Sequence, residues 1–76
     1  MEVRLICDGI DGERGCFLVE ANGKKMEIIN CDLTDTNFLG KIETYHGLYV
    51  DDNRVNHTVF LTINKVINKV FLEIKT

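Results

Sequence analysis

Three cysteines and two histidines are the side chains in this sequence best suited to hold a metal ion: Cys7, Cys16, Cys31, His46 and His57. Together they contain the donor atoms of a Cys3His zinc site. Their spacing argues against such a site, because no C-x2-4-C pair preorganises two ligands locally. Cys7 and Cys16 also fall on the apolar side of predicted strands, where a free thiol packs as a small hydrophobe. We expect reduced, structural cysteines, no metal and no other cofactor.

The segment 8–15 has the glycines and carboxylates of a calcium-binding loop, since calcium prefers several oxygen ligands on a sharply turning backbone. Ile10 and Gly12, however, stand where an EF-hand loop needs oxygen donors. The glycines of the segment are spaced by three, which matches neither of the phosphate-binding glycine patterns. We interpret the segment as a solvated connection between two strands.

Nucleophilic catalysis has few candidate residues in this chain. The sequence contains no serine, and a cysteine nucleophile would need a histidine beside it and a stabilised thiolate. Asp51 and Asp52 are adjacent, so their carboxylates are expected to point apart at a turn. We therefore predict no catalytic residues and a protein that is not an enzyme.

One short region combines aromatic and polar residues in the way that protein-binding hot spots do. It surrounds Gly47 and continues to His57. Aromatic residues on a strand also pack on neighbouring strands, so a purely structural role is the alternative. The residues predicted to contact a partner here are Tyr45, His46, Leu48, Tyr49 and Arg54.

Length and charge limit the remaining function classes. A chain of 76 residues has room for one domain, 1–76, with a thin core. The net charge is −3 and Lys24-Lys25 is the only adjacent basic pair, so nucleic-acid binding is not favoured. No apolar run approaches the ~20 residues that span a bilayer, and no leader pattern opens the chain. We expect a cytoplasmic protein without membrane contacts.

The elements that position these residues begin with a hairpin. Asn22-Gly23 lies between two apolar runs, and a type I′ turn needs positive φ at both central residues, which Asn and Gly tolerate. Residues 2–7 alternate as a half-buried strand does. We predict three antiparallel strands over 2–7, 16–20 and 25–31.

The middle of the chain is less regular. Thr34 could cap one helical turn over 35–39 that ends at Gly40 in the left-handed conformation, or this stretch could be a loop. The β-branched and aromatic residues over 41–50 indicate a fourth strand, and Gly47 within it predicts a bulge or kink.

The C-terminal segment fits two structures. At 100° per residue, most of its apolar residues gather on one helical face. Its β-branched and aromatic residues instead favour strands, and a hairpin turning at Asn64-Lys65 is the alternative. Because packing of an apolar face supplies most helical stability in proteins, we predict a helix over 59–74. Leu61 and Leu72 then lie on its outward side, where they could form a self-association or partner surface.

The combined prediction is an α+β fold, a small antiparallel sheet of about four strands with a C-terminal amphipathic helix packed on one face. A small all-β barrel with a C-terminal hairpin is the alternative. The lack of catalytic motifs favours a non-enzymatic protein-binding module, a small inhibitor or regulator of a larger protein.

Composition suggests one specific form of this hypothesis. Abundant Asn, Ile and Lys with a single Ala are typical of AT-rich coding sequences. An origin in a phage or mobile element, and a role as antagonist of a host defence system, would fit. The alternatives are a nucleic-acid-binding β-rich domain that stacks bases on Phe17, Tyr45 and Tyr49, and a structural homo-oligomer subunit such as a homodimer.

Overall fold

A computed structural model of the chain describes residues 1–10 and 13–75, apart from the side chains of residues 10, 13 and 14. The described residues form six β-strands and no helix. The strands are β1 (Glu2–Ile10), β2 (Glu13–Ala21), β3 (Lys24–Asn37), β4 (Ile42–Val50), β5 (Asn56–Asn64) and β6 (Lys69–Ile74). The predicted α+β fold is wrong, and its all-β barrel alternative is confirmed.

Each strand pairs antiparallel with its neighbours in the chain, and β6 returns to β1 to close the barrel. Short connections between antiparallel strands produce this up-and-down order. The β1–β6 seam is short, because only Glu2–Val3 pairs with Val70–Phe71. The backbone of Met1 extends it through two hydrogen bonds of 2.8 Å with the backbone of Leu72.

The predicted C-terminal helix is wrong because a side chain starts a turn in the middle of the segment. Oδ1 of Asn64 accepts the N–H groups of Val66 at 3.0 Å and Ile67 at 3.3 Å. Asn68, with a φ of 57°, completes the turn, and Asn64 pairs with Lys69 across it. Asn is well suited to both positions, since it bonds to nearby backbone and tolerates positive φ.

Leu61 and Leu72 therefore lie in the core and not on an outward helix face. They pair directly across β5 and β6 and are 0% and 1% exposed. Along these strands the inward residues alternate with period two, as in Val59 and Leu61. The intervening turn happens to keep several apolar residues at helical spacing, which explains the misleading pattern.

The Asn22-Gly23 turn is confirmed. Its residues have φ values of 53° and 80°, and the flanking strands pair across it. The N-terminal strands lie where the sequence predicts, but β1 and β2 extend further than expected into the predicted connection 8–15. Residues 11 and 12 of that connection, and with them part of the calcium-type loop, lie outside the described residues.

The predicted helical turn over 35–39 is wrong, because β3 continues to Asn37. A turn over 38–41 then joins β3 to β4, and Asn37 pairs with Ile42 across it. Gly40 is left-handed, with a φ of 82°, but it belongs to a hairpin turn and not to the end of a helix.

The sequence also predicts a bulge in β4 at Gly47, but the irregularity lies in β3. The β3–β4 register shifts between Ile29 and Asp32, and Asn30 in this stretch has a φ of 53°. β4 pairs with β5 without any shift. Gly47 instead provides space for the irregular strand, since a Cβ atom there would lie 2.7 Å from Sγ of Cys31.

Side chains fill the barrel interior. Apolar residues face inward at alternate positions, as expected for strands that close on themselves. The buried cluster comprises Val3, Phe17, Val19, Met26, Ile28, Tyr49, Val59, Leu61 and Leu72. Among the described residues, no polar or charged residue is buried, so apolar packing holds the interior together.

Candidate functional site

The predicted partner-binding residues of β4 divide between the two faces of the strand. Tyr45 and Tyr49 point into the barrel: the Tyr45 ring lies 4.8 Å from the ring of Phe17, and Tyr49 is 8% exposed. His46 and Leu48 lie on the opposite face, because neighbouring residues of a strand alternate. These four residues therefore do not form one surface.

The remaining predicted contacts are also dispersed. The His46 ring meets the ring of Phe60, its cross-strand partner, at 5.2 Å on the outer face of the sheet. Arg54 is exposed in the β4–β5 loop and has a φ of 62°. Leu61 and Leu72 are buried, so they offer no surface to a partner. The predicted set contains no continuous binding site.

The carboxylate of Asp51 organises the β4–β5 loop. Its Oδ1 accepts the N–H groups of Asn53 at 2.8 Å and Val55 at 2.9 Å, and its Oδ2 lies 2.8 Å from Nε2 of His57. The hydrogen bond with His57, followed by those with the backbone, lowers the pKa of Asp51. The His57 ring stacks on Tyr49, with the ring centroids 5.9 Å apart. These contacts fix the loop to the end of the barrel.

The lowered pKa of Asp51 predicts a loss of stability in acid. A carboxyl group with a lowered folded-state pKa stabilises the fold above its ordinary pKa of 3.8, and this contribution disappears as the pH falls through the folded value. We expect the wild-type chain to melt above the Asp51→Asn variant at neutral pH, and the two melting temperatures to converge in acid. A difference that stays constant with pH would contradict this assignment.

An ion pair joins the β4–β5 loop to the first residue of β3. Nζ of Lys24 lies 3.0 Å from Oδ2 of Asp52. Hydrogen bonding to Asp52, and then to Tyr49, raises the pKa of Lys24. Both charged groups are more than half exposed, so the pair contributes little to stability.

The three cysteines occupy different environments. Cys16 is buried and Cys31 is partly buried, but Cys7 is exposed, so its predicted core position is wrong. Burial, followed by the nearby Cys16 and Asp32, raises the pKa of Cys31 to about 11. Among the side chains that the structure describes, no three from His, Cys, Asp or Glu gather as metal ligands would.

These environments predict selective alkylation. In the native protein at mildly alkaline pH, iodoacetamide should modify Cys7 and leave Cys16 and Cys31 unmodified, because the reaction needs an accessible thiolate. Peptide mass spectrometry would locate the label, and unfolded protein would supply the fully labelled reference. The control is the Cys7→Ser variant, which should take up no label when folded. Rapid native labelling of Cys31 would contradict its raised pKa.

Large exposed apolar side chains gather in two turns at one end of the barrel. In the β3–β4 turn, Phe38 is 71% exposed and Leu39 is fully exposed. In the β5–β6 turn, Val66 is 58% and Ile67 is 53% exposed. We call these four residues, Phe38, Leu39, Val66 and Ile67, the turn surface.

The two turns adjoin because β4 and β5 are neighbouring strands. Ile42 pairs with Asn64 at this end of the barrel. Beyond that pair, the N–H of Lys65 donates a hydrogen bond of 2.8 Å to the C=O of Lys41. Nζ of Lys65 lies 3.2 Å from a carboxylate oxygen of Glu43. The two turns that carry the turn surface therefore lie side by side and are joined through Lys41 and Lys65.

Backbone strain is concentrated in the β3–β4 turn. Phe38 and Leu39 have φ values of 54° and 58°. The left-handed conformation costs a residue with a Cβ atom roughly 1–2 kcal/mol, and Asn tolerates it better than bulky residues do. Three of the other non-glycine residues with positive φ are asparagines, Asn22, Asn30 and Asn68. Two bulky apolar residues thus occupy positions where Asn or Gly would be more stable.

Sequence reasoning missed this surface. It assigns Phe38 and Leu39 to a helical turn, and Val66 and Ile67 to the apolar face of a helix. One signal was available: Phe38-Leu39-Gly40 is an apolar pair before a glycine, in a stretch otherwise rich in Asp, Thr and Asn. An apolar pair within a polar stretch has no neighbouring apolar strand residues to pack with in a core. It is therefore expected at an exposed turn.

The described part of the chain contains no helix that could span a bilayer.

The turn surface is the feature of the barrel from which a function can be inferred. Comparisons of the chain with protein-family models, with curated proteins and with solved structures found no match.

Proposed function

We propose that the chain is a non-enzymatic protein-binding module that inhibits or regulates a larger protein. The observation that carries this proposal is the turn surface, in which four large apolar side chains are exposed on two adjoining turns. Single exposed apolar residues are common, but several large ones on two adjoining turns favour an interaction site. Because the turns protrude from the end of the barrel, the partner would supply an apolar pocket.

Strain in the β3–β4 turn supports the same proposal. A chain of this size has a small margin of stability, and Phe38 and Leu39 reduce it by adopting positive φ. Both are exposed, so packing within the barrel does not offset the cost. Conformations of this kind persist where they serve a function, and removing them often stabilises a protein while it loses activity.

The other functional hypotheses receive less support from the geometry. Stacking of bases needs accessible aromatic faces, but Phe17 and Tyr49 are 4% and 8% exposed and face the interior. Homo-oligomerisation on the outward side of a helix has no basis, since Leu61 and Leu72 are buried in strands. A second copy of the chain remains a possible occupant of the turn surface and is one outcome of the test.

The test combines stability with partner capture. Phe38→Asn with Leu39→Gly should raise the free energy of unfolding by about 1 kcal/mol, because both new residues accept positive φ. The same double variant should fail to retain the partner that the wild-type chain captures at equal stoichiometry from a lysate of its native host. The matched control is Val50→Thr, which changes a 42% exposed residue at the other end of β4 and should retain the partner.

Three results would contradict the proposal. The double variant could capture the partner as well as the wild-type chain does, or the control could lose it. Light scattering could also show that the wild-type chain is a dimer and that the double variant is a monomer. In that case the turn surface joins two copies of the chain and not a larger protein.

A further inference from the structure

Within the described residues, the second half of β3 pairs with a strand on one side only. Pairing between β2 and β3 ends at Phe17 and Ile28, but β3 continues to Asn37. Over the remainder, within the described residues, β3 pairs with β4 alone. All residues of Asp32–Asn37 are exposed. We call Asp32–Asn37 the free edge.

A free edge presents backbone donors and acceptors that can pair with another chain. The short β1–β6 seam leaves a second unpaired edge, because β1 continues to Ile10 beyond its last pair with β6 at Val3. The free edge also leads directly into Phe38 and Leu39 of the turn surface. The β3–β4 hairpin therefore carries both an unpaired strand edge and an exposed apolar tip.

Charge on the free edge discriminates between possible occupants. Asp32 and Asp35 are exposed. Among the described side chains, Asp35 accepts a hydrogen bond of 3.2 Å from a neutral donor, Nδ2 of Asn37, and forms no ion pair. Antiparallel pairing of two copies about Leu33 and Thr34 would set Asp32 of one copy opposite Asp35 of the other. Like charges in directly opposed positions are destabilising, so this pairing of two copies is disfavoured.

We infer that the free edge receives an extended, lysine- or arginine-rich segment of the partner protein by β-strand addition. The inference rests on the proposed function and specifies how the partner is held. Backbone hydrogen bonds to the free edge supply affinity, and basic side chains facing Asp32 and Asp35 supply selectivity. The apolar turn surface fixes the position of the partner along the strand.

The probe is a short peptide of alternating lysine and threonine, added at millimolar concentration to the full chain. Hydrogen exchange followed by NMR should slow at the amides of the free edge and stay unchanged in β5. The matched peptide, N-methylated at every backbone nitrogen, keeps the charges but cannot donate backbone hydrogen bonds. It should bind at least about tenfold more weakly.

A charge exchange provides the second arm. Asp32→Lys with Asp35→Lys should bind the glutamate–threonine peptide in preference to the lysine–threonine peptide. Asp52→Lys with Glu73→Lys, a change of equal charge at two exposed positions outside the free edge, should keep the original preference. Absence of protection at the free edge, equal binding of the methylated peptide, or protection that appears with protein concentration alone would each overturn the inference. Partner capture by the Phe38→Asn and Leu39→Gly variant is measured separately, so the proposed function could survive this result.

Discussion

Replacing Leu61 with alanine is expected to lower the free energy of unfolding by about 2–5 kcal/mol. Leu61 is 0% exposed and lies against Leu72 in the middle of the core. The substitution removes buried methyl groups and leaves a cavity that a closed barrel can fill only in part. Urea denaturation followed by far-ultraviolet circular dichroism measures the change. Because small domains are marginally stable, a large share of the molecules would be unfolded before urea is added.

Leu39→Ala is the matched control, since it truncates the same side chain at a fully exposed position. It should change the free energy of unfolding by no more than about 0.5 kcal/mol. On an amphipathic helix with Leu61 outward, the two variants would behave alike. Equal effects of Leu61→Ala and Leu39→Ala would therefore contradict the barrel core described here.

Gly47→Ala is expected to destabilise the barrel by about 1–3 kcal/mol, although alanine is ordinarily preferred to glycine within a strand. The new Cβ atom would lie 2.7 Å from Sγ of Cys31, 2.8 Å from Cγ2 of Ile28 and 3.2 Å from the backbone oxygen of Ile29. All three neighbours belong to the irregular part of β3 or to the core, so none can move without repacking. Thermal and urea denaturation would report the loss.

A second variant identifies the cause. Cys31→Ala removes the sulfur atom nearest to the new methyl group. The combination of Gly47→Ala with Cys31→Ala should therefore lose less stability than the two single variants added together. Strict additivity, or a Gly47→Ala variant as stable as the wild-type chain, would show that β3 does not approach Gly47 closely.

The N-terminal half of the fold could be predicted because its signals are local. The Asn22-Gly23 turn determines the register of β2 and β3, and alternation identifies the inward residues on both sides of it. The length of β3 could not be predicted in the same way. Among the described residues, its outer half pairs only with β4, and its polar residues carry neither a strand pattern nor an apolar face.

The prediction for the C-terminal half of the fold depended on one turn. The positions of the apolar residues fit a helix, while the abundance of Val, Ile, Thr and Phe fits strands, and the sequence analysis weighted position above residue type. Asn64 resolves the conflict, because its side chain bonds to the two residues that follow and reverses the chain. A polar residue that can start a turn outweighed the periodicity around it.

The candidate site was missed for a related reason. Aromatic residues around Gly47 drew attention because of their type, but alternation sends Tyr45 and Tyr49 into the barrel. The exposed apolar residues lie instead in turns at the strand ends. There the pairing of the strands determines which side chains reach the surface. The turn surface depends on β4 and β5 being neighbours, a relation that no local sequence pattern encodes.

Closure of the barrel joins residues at opposite ends of the described chain. The hydrogen bond from Met1 to Leu72 spans a separation of 71 residues, whereas every other strand pair joins consecutive strands. Because the entropy cost of closing a loop grows with its length, the hairpins are expected to form early in folding and the β1–β6 seam last. Until the seam forms, β1 and β6 both present unpaired edges. The slow step of folding is then also the step at which this chain is most prone to aggregate.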